Sequence, residues 1–257
     1  MNTAPVEPSR RSRREAREAQ LGASVREQPA EGEEAPAVER PVSPQGRWMP
    51  LAIAGVAVVV GLVVGLLVTV AFDGAAGRSL GGVVASVVVG ATGLALLPRC
   101  RPAGYFELRA LDVLWAVVLG IILPFIAGVF AGGGGWPAFA ALSPRWLLLG
   151  VVAPFVSLLL LTIFATGLVY ALVRRAASTV PVWNRVFAAA ASAIAFAIIP
   201  LVFRADVSGM PVALPVILGV ASAVFVALSQ RLWGPLVMTL VFTGVWVAMS
   251  AVGYVLA

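Results

Sequence analysis

Hydrophobic positions along this chain come in long unbroken runs rather than in alternation. Seven runs stand out: 49–72, 80–97, 111–131, 146–173, 186–203, 211–228 and 232–255. Each reaches or approaches the roughly 20 apolar residues that carry an α-helix across a bilayer. An outer-membrane barrel would instead show two-faced strands of about 10 residues. The pattern predicts an all-α polytopic membrane helix bundle of about seven transmembrane helices. Residues 1–48 differ in kind: eight arginines and eight glutamates balance one another among prolines and alanines. Such a segment buries too little apolar area to offset its ordering entropy, so a disordered cytoplasmic tail is expected there, followed by a transmembrane helical domain over 49–257. Within the tail, Arg11–Glu15 and Arg14–Glu18 are i, i+4 pairs that suit a transient helix over 12–20. That stretch has no apolar face with which to lie on a membrane. The first apolar run is too long for the core of a cleaved signal peptide.

Composition agrees with membrane insertion. Of 257 residues 60% are hydrophobic and only 12% charged, about half the usual charged share, and the mean hydropathy is +0.98. The +6 net charge is carried by arginine alone, a usage that GC-rich coding produces, and its placement orients the chain. With the N-terminus inside, Arg99, Arg101, Arg109, Arg174, Arg175, Arg185 and Arg231 fall in inside loops, against Arg78, Arg145 and Arg204 outside. The positive-inside rule then predicts a multi-pass protein of the plasma (inner) membrane, N-terminus cytoplasmic and C-terminus outside. This distribution favours membrane orientation over nucleic-acid binding as the meaning of the charge.

Small residues indicate how helices meet. Gly61-x3-Gly65 and Gly82-x3-Ser86-x3-Gly90 permit close backbone approach, and packing inside the bundle is the expected use. Pro124, Pro154 and Pro200 lie within runs and are expected to kink them. The 132–145 loop, rich in glycine and then mildly apolar, suits an interfacial position with Trp136 as anchor.

Ionisable groups at membrane depth are costly and usually functional, and this chain has almost none. Past the tail the acids are Asp73, Glu107, Asp112 and Asp206, all at span ends or in loops. Glu107 and Asp112 flank Arg109 and read as a solvated interfacial cluster. The polar positions within spans are Ser157, Thr162, Thr166, Ser192, Ser222, Thr239 and Thr243. Such hydroxyls usually bond their own i−4 carbonyl or a neighbouring helix, for about 1 kcal/mol or less. No histidine or lysine is present to activate a serine nucleophile. Cys100, the one cysteine, excludes an internal disulfide and a thiolate cage. No metal and no cofactor are expected.

The last four runs nevertheless carry a familiar arrangement. The fourth contains Ala153-Pro154 ahead of Ser157, Leu158 and Thr162; the fifth holds Ser192-x3-Phe196-x3-Pro200; the seventh opens LWGPLVMTLVFTG from Leu232. Over residues 146–250 this resembles the CAAX-protease and bacteriocin-processing (CPBP, or Abi) family of intramembrane metalloproteases. That family's motifs run roughly AP-x2-EE-x3-R, F-x3-H and LWAP-x3-H-x3-N/D. Laid on this chain, the paired glutamates fall on Ser157 and Leu158 and the arginine on Thr162. The histidines fall on Pro200 and Thr239, and the last partner falls on Thr243. The resemblance implies a bundle that admits a membrane segment or lipid chain, with a glutamate activating water beside histidines. Every ionisable position of that chemistry is substituted here, and hydroxyls titrate far too high to act as bases at neutral pH.

The expectation is a degenerate, non-catalytic CPBP-like protein: not an enzyme, and acting by contact. Its expected partners are membrane lipids and another membrane protein, with no nucleic acid and an open oligomeric state. Thr239 and Thr243 lie one turn apart on one face, with Ser157 expected near them, either as a polar remnant of a cavity or as interhelical glue. Alternatives are an active protease using non-standard residues, a transporter subunit, or an adaptor acting through the tail.

Overall fold

The structure is a computed structural model that describes residues 44–72, 74–100, 102, 104–130, 143, 147–177, 181–203 and 210–256. The expected tail up to residue 43, the 132–142 and 144–145 part of the long loop, and Asp73, Arg204 and Asp206 lie outside the described residues. Seven helical rods account for nearly all of the rest, and no strand occurs among the described residues. They are α1 Pro44–Ala71, α2 Gly74–Cys100 and α3 Ala110–Phe130, then a composite α4, then α5 Pro181–Val202, α6 Met210–Ser229 and α7 Trp233–Leu256. Six are long and apolar enough to cross a membrane; α6 is not among them, its apolar stretch being the shorter Ala213–Ser229. This is the architecture of a multi-pass membrane protein.

The first helix starts at Pro44, ahead of the expected boundary after residue 48. Proline is pre-shaped for a first helical turn, where its missing N–H is no loss. Pro124 and Pro200 sit inside α3 and α5, which continue through them.

Continuous from Leu148 to Ala176, α4 alternates between two helical forms: π over Leu148–Val152, α over Ala153–Thr162, π over Ile163–Val169, and α over Tyr170–Ala176. Pro154 accounts for the first widening. An α-helix there would set the proline ring against the Gly150 carbonyl, which also loses its donor. Instead the Ala153 N–H bonds the Leu148 carbonyl, five residues back. In the second π segment the Tyr170 N–H bonds the Ala165 carbonyl in the same way.

This helix is the axis of the bundle. It is 67% buried, whereas the other five spanning helices are only 22% to 39% buried. Against α4 pack α2, α5 and α7, while α1 lies on α2, α6 on α5, and α3 on α7 and α6. Glycines set the closest approaches, as the small-residue spacing suggested. A methyl group at Gly61 would lie 2.8 Å from Val89 Cγ2 of α2, and one at Gly90 would lie 2.5 Å from Leu160 Cβ of α4. Lipid-like surfaces supply no hydrophobic drive between helices, so close van der Waals contact must hold them. The core itself is made of Phe164, Leu168, Phe196, Leu218, Met238 and their neighbours. Two ends of the bundle can be told apart. At the proximal end α2, α4 and α6 finish; at the distal end α2 and α4 begin and α5 finishes.

Candidate functional site

All seven hydroxyl residues singled out within the spans are buried, with relative exposures from 0% to 8%. Five are satisfied. Ser157 donates to Ala153 O at 2.9 Å, Thr162 to Leu158 O at 2.8 Å, Thr166 to Thr162 O at 2.6 Å and Thr243 to Thr239 O at 2.8 Å. The fifth is Thr239, whose Oγ1 lies 3.0 Å from Thr162 Oγ1. Since Thr162 spends its single proton on Leu158 O, Thr239 is the donor of this pair. Ser192 and Ser222, with Asn184 Oδ1, are the buried polar atoms without a partner among the described residues.

The positions aligned with the protease motifs lie around the distal half of α4. Ser157, Leu158 and Pro200 share the wall of a cavity of about 380 Å³ between α2, α4 and α5. A smaller cavity of about 150 Å³ lies behind Pro154, Leu158 and Pro200 and is closed by Phe242, Thr243 and Trp246. Thr162 and Thr239 line neither cavity; they are joined to one another one turn deeper. So it is Thr162, not Ser157, that reaches Thr239. Ser157 belongs to the α2–α5 side. Thr239 and Thr243 are four positions apart and share one face of α7, whereas Ser157 and Thr162 are five positions apart, so the helix turn places Ser157 on a different face of α4 from Thr162. A third cavity, about 570 Å³ between α5 and α6, is lined by alanines, valines, Leu228 and Arg185.

Chemically these walls offer hydroxyls, carbonyls and two guanidiniums, Arg78 beside α4 and Arg185 between α5 and α6. No group of three or more potential metal ligands occurs among the described residues. With Ser157, Thr162 and Thr243 donating to carbonyls of their own helices, the site can accept a hydrogen bond or shape an apolar pocket. It holds no group that takes up a proton near neutral pH.

A second polar cluster, at the proximal end, was not foreseen as such. The loop between α2 and α3 sends Tyr105 into the core, where it is 1% exposed. Its hydroxyl donates to the Thr166 carbonyl, and that carbonyl is open for a reason. The Tyr170 N–H, its partner in a regular α-helix, is committed to Ala165 O by the π turn. Burial, then the neighbouring Tyr170, push the Tyr105 phenol far above its ordinary pKa, with Arg174 opposing weakly. Across the same layer Gln230 donates to Tyr170 Oη at 2.7 Å and to Ala227 O at 2.5 Å, and accepts from Arg174 Nη1. These bonds hold Gln230 at φ 58°, a left-handed position normally left to glycine at a helix C-terminus. The Leu232 N–H bonds Tyr105 O at 3.0 Å, and Trp233 Nε1 bonds Phe106 O at 2.9 Å.

The acidic cluster also differs from its expected form. Its partner is Arg231, not Arg109: Arg231 lies 2.8 Å from Asp112 and 3.7 Å from Glu107. Arg231 and Asp112 are only 12% and 17% exposed, so this is a half-buried clasp instead of a solvated group. The α6–α7 turn carries Arg231 across to the first turn of α3, a juxtaposition with no local signature. The LWGP stretch therefore has a visible structural use, since Leu232 and Trp233 fasten the α2–α3 loop. Sequence spacing gave no hint of Tyr105. A lone tyrosine in a loop between arginines reads as interfacial.

Comparison with protein-family models, with characterised proteins and with solved structures gave no match to this chain.

Proposed function

We propose that this chain is a non-catalytic, CPBP-like membrane protein that retains an intramembrane binding cleft and works by contact. One observation carries the reading. Ser157, Leu158 and Pro200, three positions where the family's motifs place glutamates and a histidine, border one cavity with no ionisable group of that chemistry. Thr243 borders the adjoining cavity, and Thr162 with Thr239 forms a hydrogen-bonded tie one turn deeper, outside both cavities. Such a groove admits an apolar chain without cleaving it. The glue role of the threonines and the cleft role of Ser157 are compatible, because they lie on different faces of α4. The arginine clusters at the proximal end support an N-terminus on the cytoplasmic side, with the cleft opening toward the opposite leaflet.

The test uses the purified full chain in lipid vesicles, incubated with prenylated peptides and with single-span peptides. Retention of added peptide or lipid with no scission, read by mass spectrometry, is the expected result. Peptide-bond cleavage by contaminant-free protein would falsify the proposal and favour a protease using non-standard residues.

A further inference from the structure

The larger of the two cavities beside α4 is asymmetric in its chemistry. At the distal end its wall begins with Arg78 and Ser79 on α2, both exposed. Arg78 is the one charged side chain in the wall, and no ion pair joins it to another described residue. Further in, the hydroxyls of Ser86 and Ser157 donate to Gly82 O at 2.8 Å and Ala153 O at 2.9 Å, so neither is a free donor. Between them the surface is Val83, Leu158, Leu161, Ile199 and Phe203. The polarity therefore runs from a cation at the rim to hydrocarbon within.

Depth narrows the occupant. From Arg78 to Ser86 the α2 wall rises by about 12 Å at 1.5 Å per residue. That is less than half of the roughly 30 Å hydrocarbon core. A transmembrane peptide needs the whole thickness, whereas a lipid belongs to one leaflet. The volume of about 380 Å³ is that of a small-molecule pocket. A free inorganic anion would have no use for the apolar interior.

We infer that this cavity is a site for a membrane lipid with an anionic phosphate headgroup, drawn from the distal leaflet. The headgroup pairs with Arg78 and Ser79 while one acyl chain lies along Val83, Leu158 and Leu161. This rests on the binding-cleft reading above and names its ligand class. A guanidinium matches phosphate oxygens by charge and by paired donors.

The experiment uses the purified full chain in nanodiscs doped with a diazirine-bearing phosphatidylglycerol or a phosphatidylcholine analogue with the same chains. Cross-links are mapped by mass spectrometry onto residues 78–86 and 154–161. Wild-type labelling of both segments should favour phosphatidylglycerol about fivefold, the equivalent of one arginine near an anionic lipid surface. R78Q, an exposed substitution, should bring the two lipids to equality. S157F fills the cavity and should abolish labelling of both segments, with circular dichroism verifying its fold; V83F serves if S157F does not fold. Glycerol phosphate in excess should not compete, which separates a lipid from a soluble anion. If R78Q keeps the full preference, the headgroup assignment falls while the cleft survives. If the filled variants label as strongly as wild type, both the site and the cleft reading fall.

Discussion

Substituting Tyr105 by phenylalanine removes one oxygen from a loop residue that is 1% exposed, and the consequence depends on pH. At neutral pH the loss is the bond to the Thr166 carbonyl, whose usual donor has gone to Ala165. Removing one such buried bond costs about 1 kcal/mol. In alkaline solution the wild type's advantage erodes. Burial raises the phenol's pKa in the folded protein above its ordinary 10.0. Above pH 10 the unfolded chain gives up this proton and the folded one keeps it, so the unfolded state binds fewer protons and stability falls. Between pH 9 and pH 11 that single group withdraws on the order of 1 kcal/mol from the wild type and nothing from Y105F. Wild type should therefore be the more stable at pH 7 by about 1 kcal/mol and lose that advantage as the pH rises to 11. The assay is reversible denaturant unfolding of both proteins in bicelles across this range, followed by tryptophan fluorescence. A difference that stays constant with pH would refute the buried placement of Tyr105. A penalty above about 3 kcal/mol at pH 7 would mean that more than one hydrogen bond is lost.

The Thr162–Thr239 pair should behave as glue: T162V and T239V each cost about 0.5–1 kcal/mol, with a coupling of similar size in a double-mutant cycle. A coupling indistinguishable from zero by the same unfolding assay would remove the bond from the account. In the proximal clasp D112N and R231Q should each destabilise by about 1–3 kcal/mol, because each strands a half-buried partner. E107Q, whose carboxylate is 63% exposed and 3.7 Å away, should change thermal stability by less than about 0.5 kcal/mol. G90A forces a methyl to within 2.5 Å of Leu160 Cβ, whereas a methyl at Gly55 meets nothing within 4 Å. G90A should thus cost about 1–3 kcal/mol and G55A should be neutral or gain a few tenths, measured side by side by detergent unfolding.

The two polar layers of this molecule separate what composition decides from what packing decides. Apolar runs fix the helices because a bilayer leaves backbone amides no partner except those within the helix. That constraint acts locally, so the run boundaries match the rods to within six residues, the largest differences being the earlier starts of α1 at Pro44, α2 at Gly74 and α5 at Pro181. The seven within-span hydroxyls were likewise legible as interior groups, since lipid offers them no bond. Which hydroxyl meets which was not legible. Helical periodicity puts Thr239 and Thr243 on one face of α7, yet it cannot tell whether Ser157 or Thr162 stands opposite. That depends on the rotation of α4, reset by π turns at Leu148–Val152 and Ile163–Val169.

By itself the sequence determined a helical membrane bundle without acid–base side chains inside its apolar runs, because burial cost acts on each residue separately. Only the tertiary structure decided that α4 is the axis, that Tyr105 reaches a carbonyl freed by the π turn, and that Arg231 clasps Asp112 across 119 residues of chain. These depend on pairwise distances between helices, and such distances have no expression in the local order of residues.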